Sequence, residues 1–256
     1  MRGIRAVARR EFVALLTSVS PWSAATAFLL LTGLLFWIDA RNFADFSVRA
    51  GADPLTRAAL NATQAVVQPA IATLGVVAAF VLPLLTMRAV AEERRQGSLE
   101  LLRALPVSDF ALAAGKYLAA LAVAALILAA SLVQPAVLAL AAPITWSQVA
   151  AGYLGAFLLF SALVSVGVTI SALAPSQVVA ASATLALFVG LVVADQAIHP
   201  GATGIARLIA NLSPIARLDS FSRGLVELGS VAYYLAATLA GLTAAALALA
   251  ADRRRG

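Results

Sequence analysis

Residues Val149–Leu173 read VAAGYLGAFLLFSALVSVGVTISAL, 25 residues without a charged side chain. A helix of that length measures about 37 Å at ~1.5 Å per residue, against a bilayer hydrocarbon core of about 30 Å, so the run can cross a membrane. Outward from it the pattern recurs at Trp22–Ile38, Val66–Met87, Ala111–Ala141, Val178–Ala194 and Val231–Ala251. The third of these six runs is 31 residues long and contains Gln134-Pro135, so a kink or tilt is expected there. Two short hairpin spans in its place would need a charged or Gly-rich turn. Lys116, near its start, is read as belonging to the preceding loop, which leaves the spans without ionisable groups. Of the 256 residues, 62% are hydrophobic and 12% charged, against about 45–50% and about 25% in soluble domains. The expected fold class is an all-α membrane protein with six transmembrane helices.

The charges set the expected orientation. The chain has 18 basic residues and 12 acidic ones, net +6. Arg2, Arg5, Arg9 and Arg10 precede the first run, Arg88, Arg94, Arg95, Arg103 and Lys116 follow the second, and Arg253, Arg254 and Arg255 end the chain. The opposite side carries Arg41, Arg49, Arg57, Arg207, Arg217 and Arg223, matched by six acids. The positive-inside rule therefore predicts both termini and the 88–110 segment in the cytoplasm. Basic residues scattered between apolar runs do not form a nucleic-acid face.

Residues 4–19 place Ile4, Val7, Ala8, Phe12, Leu15, Leu16 and Val19 on one helical face, with Arg2, Arg5 and Arg9 along its flank and Glu11 at its edge. This predicts an interfacial helix over 1–21, with Pro21 turning the chain into the bilayer; the simpler alternative is a basic tag that sets topology. Asp39-Ala40-Arg41 offers no signal-peptidase site, so the first run is read as an uncleaved span. The loops 39–65 and 195–230 are the only sizeable external segments, and neither is long enough to build a core. One membrane domain, 1–256, is expected.

Much chemistry is excluded. The single histidine, His199, rules out two-histidine zinc sites and is read as a loop residue beside Pro200-Gly201. Without cysteine there is no thiolate site. The one lysine lacks the surroundings of a phosphate-binding loop, so no catalytic residue and no metal site is expected in this chain. Gln134 is the one polar pathway candidate, its alternative role being to satisfy a carbonyl freed by Pro135. Ser161, Ser165 and Thr169 form a small-residue face, suited equally to packing within the chain or to a subunit interface.

The cytoplasmic stretch Met87–Lys116, MRAVAEERRQGSLELLRALPVSDFALAAGK, carries the functional signal. Gly97 should break a first helix and Ser98 cap a second one, which has an apolar side of Leu99, Leu101, Leu102 and Leu105; Pro106 stops it and Ser108 caps the next span. A short helix with apolar knobs and flanking charges suits a protein partner. The plainer alternative is a connector with its leucines in the headgroup layer.

At Ala91–Gly97, Ser98–Leu102, Pro106–Ser108 and Gly115-Lys116 the chain resembles the permease subunits of type-2 ABC exporters, particularly the gliding-motility (GldF-like) branch, with its AEERRxGTLELLLxxPVS…GK segment. Asn211-Leu212-Ser213-Pro214, Phe221-Ser222-Arg223-Gly224 and Tyr233-Tyr234 are similar to a second stretch of that branch, and Arg10-Glu11-Phe12 with Ser20-Pro21 to its N-terminal entry. The resemblance implies a multi-pass subunit of the bacterial cytoplasmic (inner) membrane that works with a second permease, the same or homologous, and two copies of a separate ATPase holding ATP and Mg. It implies an ATPase-coupling surface at Arg10, Glu11, Glu92, Glu93, Arg94, Arg95, Gly97, Ser98, Leu99, Glu100 and Leu102. It also implies an external gate at Leu212, Ser213, Pro214, Phe221, Arg223 and Gly224, whose alternative is an ordinary loop. A non-transporting component acting on an accessory membrane protein is the alternative function.

Overall fold

The computed structural model describes residues 2–49, 61–95, 97, 108–197 and 213–253. All regular structure among them is helical. The chain runs through α1 (Arg2–Thr17), α2 (Val19–Arg49), a π turn (Thr63–Val67), α3 (Gln68–Thr86), α4 (Ala91–Arg95), α5 (Asp109–Ser131), α6 (Val133–Ala141), α7 (Trp146–Leu173), α8 (Gln177–Ala197), α9 (Leu218–Ser222) and α10 (Leu228–Arg253).

Among the described residues, five helical segments are long and apolar enough to cross a membrane: α2, the π turn through α4, α5 with α6, α7, and α10. The fifth apolar run of the sequence falls on α8, which is shorter, with its apolar part at Gln177–Val193. Helix α7 is the centre of the bundle, packed against α3, α5, α8, α9 and α10. It is buried at nearly every position from Leu158 to Val168.

The breaks have local causes. Pro135 has no N–H to return to the carbonyl of Ser131, and α5 ends at that residue before α6 resumes at Val133. Pro69 likewise cannot close an α-turn onto Ala65, and the chain widens into the π turn just before it. The turn between α1 and α2 lies at Ser18, not at Pro21. Pro21 falls within the first turn of α2, where the missing donor costs nothing. Helix α2 continues past the apolar run to Arg49, because Asp39–Arg49 contains neither Gly nor Pro and sets Arg41, Asp45 and Arg49 at i,i+4 spacing, a charge order compatible with a solvated helix.

Lys116 is not a loop residue. It sits just over two turns into α5, whose N-cap is Ser108, the hydroxyl accepting the Ala111 N–H at 3.2 Å. Its side chain is only 1% exposed, so the bundle does enclose an ionisable group. A helix two turns beyond its cap is already covered by neighbours, and here α1 is the cover. Gly115 permits that approach: a Cβ there would lie 2.6 Å from the Val7 side chain.

Candidate coupling site

Helix α1 turns Val7, Glu11, Phe12, Leu15 and Leu16 toward the bundle and leaves Arg5, Arg9 and Arg10 exposed. The 3.6-residue period that sorts these residues also aims Glu11 at α5. Lys116 Nζ lies 2.7 Å from Glu93 Oε2 and 3.3 Å from Glu11 Oε2. Arg10 completes the cluster, 3.5 Å from Glu93 Oε1 and 3.7 Å from Glu11 Oε1. Two cations therefore alternate with two carboxylates drawn from α1, α4 and α5. Beside them is a cavity of about 340 Å³, whose charged wall is Arg10, Glu11, Arg88, Glu92, Glu93 and Lys116. A buried ammonium keeps its charge only with such partners close by.

Arg94 points the other way. Its guanidinium donates to the carbonyls of Ala172 and Ala174, each at 2.7 Å, and to Asp252 Oδ2 at 3.0 Å. It thus satisfies the C-terminal carbonyls of α7, where the helix dipole also favours a cation, and ties them to the end of α10. Ser171 adds a staple, its hydroxyl accepting the N–H groups of Val90 and Ala91 and donating to the Met87 carbonyl. Arg253 pairs with Asp109 at 3.3 Å, and Arg95 with Glu92 at 3.0 Å. Gly97, with φ of +70°, closes α4 through its N–H to the Arg94 carbonyl. Ser98, Leu99, Glu100 and Leu102 of the expected coupling surface lie outside the described residues.

The second group of expected site residues gathers at the opposite end of α7. Phe221 is fully buried, its ring so close to Gly155 that a Cβ there would stand 2.5 Å away. Helix α9 ends in a Schellman turn, Leu225 N–H to the Ser220 carbonyl and Gly224 N–H to that of Phe221, with Gly224 at φ +86°. Buried Ser213 precedes Pro214, whose carbonyl accepts the Tyr234 hydroxyl. Arg223 pairs with Asp219 at 2.9 Å, and Arg217 lies 4.4 Å from the centre of the Tyr233 ring. Leu212 lies outside the described residues.

One end of a helical bundle is thus built from the N-terminal helix, a short charged helix and the last helix, and residues 45–249 match the model of the ABC-2 family transporter proteins. The chain belongs to that family. No curated protein matches it. An ABC-2 membrane domain is a transmembrane component and not itself the ATPase; it works with an ABC ATPase.

In this ABC-2 protein Gln134 bonds to a side chain rather than to a freed carbonyl, its amide donating to the Thr32 hydroxyl at 2.9 Å. The small-residue face of α7 packs within the chain: Ser161 bonds Thr238 at 2.9 Å and Tyr117 at 2.7 Å, and Thr169 donates to the Gly241 carbonyl at 2.7 Å. Sequence reasoning missed Lys116, Ser171 and Asp252 as members of the site. The signal for Lys116 was available, since it is the only lysine among 18 basic residues and stands inside an apolar run. Nothing in the local sequence marks Ser171 or Asp252.

Proposed function

We propose that this ABC-2 protein is the permease subunit of an ATP-driven export complex, with the Lys116 end in the cytoplasm and α8 as a sixth crossing. Two such subunits, alike or homologous, pair with two copies of an ATPase that supplies the site for ATP and Mg. The observation that carries this reading is the Lys116–Glu93 contact of 2.7 Å. Glu93 belongs to the five-residue helix immediately before Gly97, and Lys116 to the span that follows the coupling segment. Force applied by an ATPase to residues 98–107 would reach the bundle at both ends of that segment.

The pairing of α1, α4 and α5 through buried charge makes them move together, because separating them strands an ion in a low-dielectric site. Arg94 and Ser171 carry the same displacement to α7, the most enclosed helix, and so toward α9 at its far end. Motif matches to the gliding-motility branch support a second reading, in which this movement acts on an accessory membrane protein instead of a cargo.

The test is reconstitution with the cognate ATPase. Glu93→Gln should leave the complex assembled while lowering cargo- or partner-stimulated ATP hydrolysis several-fold, and the isolated permease should hydrolyse no ATP. Vanadate-sensitive hydrolysis by the pure chain, or full stimulation in Glu93→Gln, is the result that defeats the proposal.

A further inference from the structure

On the flank of α1 opposite Arg10, positions 5, 9, 12 and 16 form one stripe at i, i+4, i+7 and i+11. It carries Arg5, Arg9, Phe12 and Leu16. At the lower end of the stripe an apolar groove of about 160 Å³ opens between α2 and α5, lined by Leu16, Trp22, Leu29, Val123, Leu126 and Ile127 among others. Pro21 to Leu29 on one wall and Val123 to Ala130 on the other each advance about 10–12 Å along their helices, the depth of the upper part of an acyl chain. Trp22 stands at the mouth, 59% exposed, its indole N–H donating to the Leu16 carbonyl at 2.9 Å. An anchored indole at an apolar mouth is the pattern of a membrane–water boundary.

Arg5 and Arg9 are exposed, and neither pairs with a carboxylate among the described residues. Arg9 lies about 10 Å along the axis from Leu16, a gap that its own side chain and a lipid headgroup can close. By contrast, Arg10 and Lys116 on the other flank are already matched by Glu11 and Glu93. The apolar groove and the uncompensated positive charge therefore fall on the same side of α1.

We infer that the α1–α2 corner binds one anionic phospholipid of the inner leaflet, its acyl chain in the Leu16–Trp22–Ile127 groove and its phosphate at Arg9, with Arg5 adding attraction. The inference rests on the placement of α1 at the cytoplasmic interface. Lipid bound there bridges α1 to α2 and α5, so it bears on the same helix whose Glu11 grips Lys116.

Tryptophan quenching tests this directly. In a Trp37→Phe/Trp146→Phe background, Trp22 is the only indole. The permease is placed in phosphatidylcholine vesicles doped with brominated phosphatidylglycerol or brominated phosphatidylcholine. Brominated phosphatidylglycerol should quench Trp22 with an apparent association constant about fivefold higher or more, from the attraction of one basic residue for an anionic lipid. Arg9→Gln should bring the ratio close to one, whereas Arg88→Gln, an equal charge change on the other flank, should not alter it. Ala25→Leu, which fills the groove with every charge in place, should also abolish the preference, with folding checked by the melting temperature. Soluble glycerol phosphate, a headgroup without a chain, should not compete. Equal quenching by the two lipids, an unchanged ratio in Arg9→Gln, an equal loss in Arg88→Gln, or competition by glycerol phosphate would overturn the inference. Labelling of an introduced cysteine at Ser98 by impermeant reagents reports the orientation separately, so a misplaced α1 and a missing lipid site give different results.

Discussion

Lys116 Nζ, on a side chain 1% exposed, lies 2.7 Å from Glu93 Oε2 across 23 positions of sequence that include the whole connection from α4 to α5. The contact closes that connection at its base. It makes the start of α5 and the end of the α3–α4 arm one electrostatic unit with α1.

Removing the ammonium alone should be costly. Lys116→Met leaves Glu11 and Glu93 in a largely buried site with Arg10 as their one remaining cation among the described residues, and breaking a buried pair on one side typically costs about 3–5 kcal/mol. Glu93→Gln, which leaves Lys116 its contact with Glu11, should cost less. A double-mutant cycle followed by thermal unfolding in detergent should give a coupling energy of about 1 kcal/mol or more; additive losses would mean that the two groups do not interact.

Arg94 should resist conservative replacement. Its planar fork reaches two carbonyls and a carboxylate at once, geometry that a lysine cannot reproduce. Arg94→Lys and Arg94→Ala should each lower stability by about 1–3 kcal/mol, since carbonyls at the end of α7 lose a charged donor. Asp252→Asn weakens the partly exposed ion pair with Arg94 while leaving the carbonyl contacts in place, and should cost about 1 kcal/mol or less. Equal melting temperatures for Arg94→Ala and Asp252→Asn would contradict this order.

Close packing between α7 and α9 should tolerate no added volume. Gly155→Val places a Cβ 2.5 Å from Phe221 and should destabilise by about 1–3 kcal/mol or more. Phe221→Leu in the same chain should recover part of the loss, seen as a higher melting temperature for the double variant than for Gly155→Val. Failure of any rescue would place the strain elsewhere.

Topology and coupling can be probed at positions 47, 98, 99, 102, 203 and 254. Cysteines at Ser98 and Arg254 should react only with membrane-permeant reagents, and those at Ser47 and Thr203 with impermeant ones as well. Leu99→Ala/Leu102→Ala should weaken co-purification with the ATPase, as truncating a buried anchor costs about 2 kcal/mol or more. Wild-type assembly of that variant would make the segment a plain connector.

Element positions were legible because apolar runs are local properties. The runs at Val66, Val149 and Val231 coincide with helices to within a few residues, and Ser108 caps α5 through the side chain that its position suggested. Boundaries failed where no local signal acts: α2 outruns its apolar run because a polar stretch without Gly or Pro continues the helix. The charged residues of 92–95 were legible as a set, but not their directions. Glu93 turns toward α5, Arg94 toward α7, and Arg95 back to Glu92.

By itself, the sequence determined an all-helical membrane chain, its long apolar segments and the position of its charged turn, since hydrophobic transfer and backbone satisfaction depend on composition along the chain. Tertiary structure alone decided that Lys116 is enclosed, that Glu11 and Glu93 share it, that Arg94 seals the end of α7, and that the Ser161–Thr169 face packs inward on α10. Each of these joins residues about 20 to 160 positions apart. A side chain's charge is written in the sequence, but whether it meets water, lipid or a counter-charge depends on which helix packs over it.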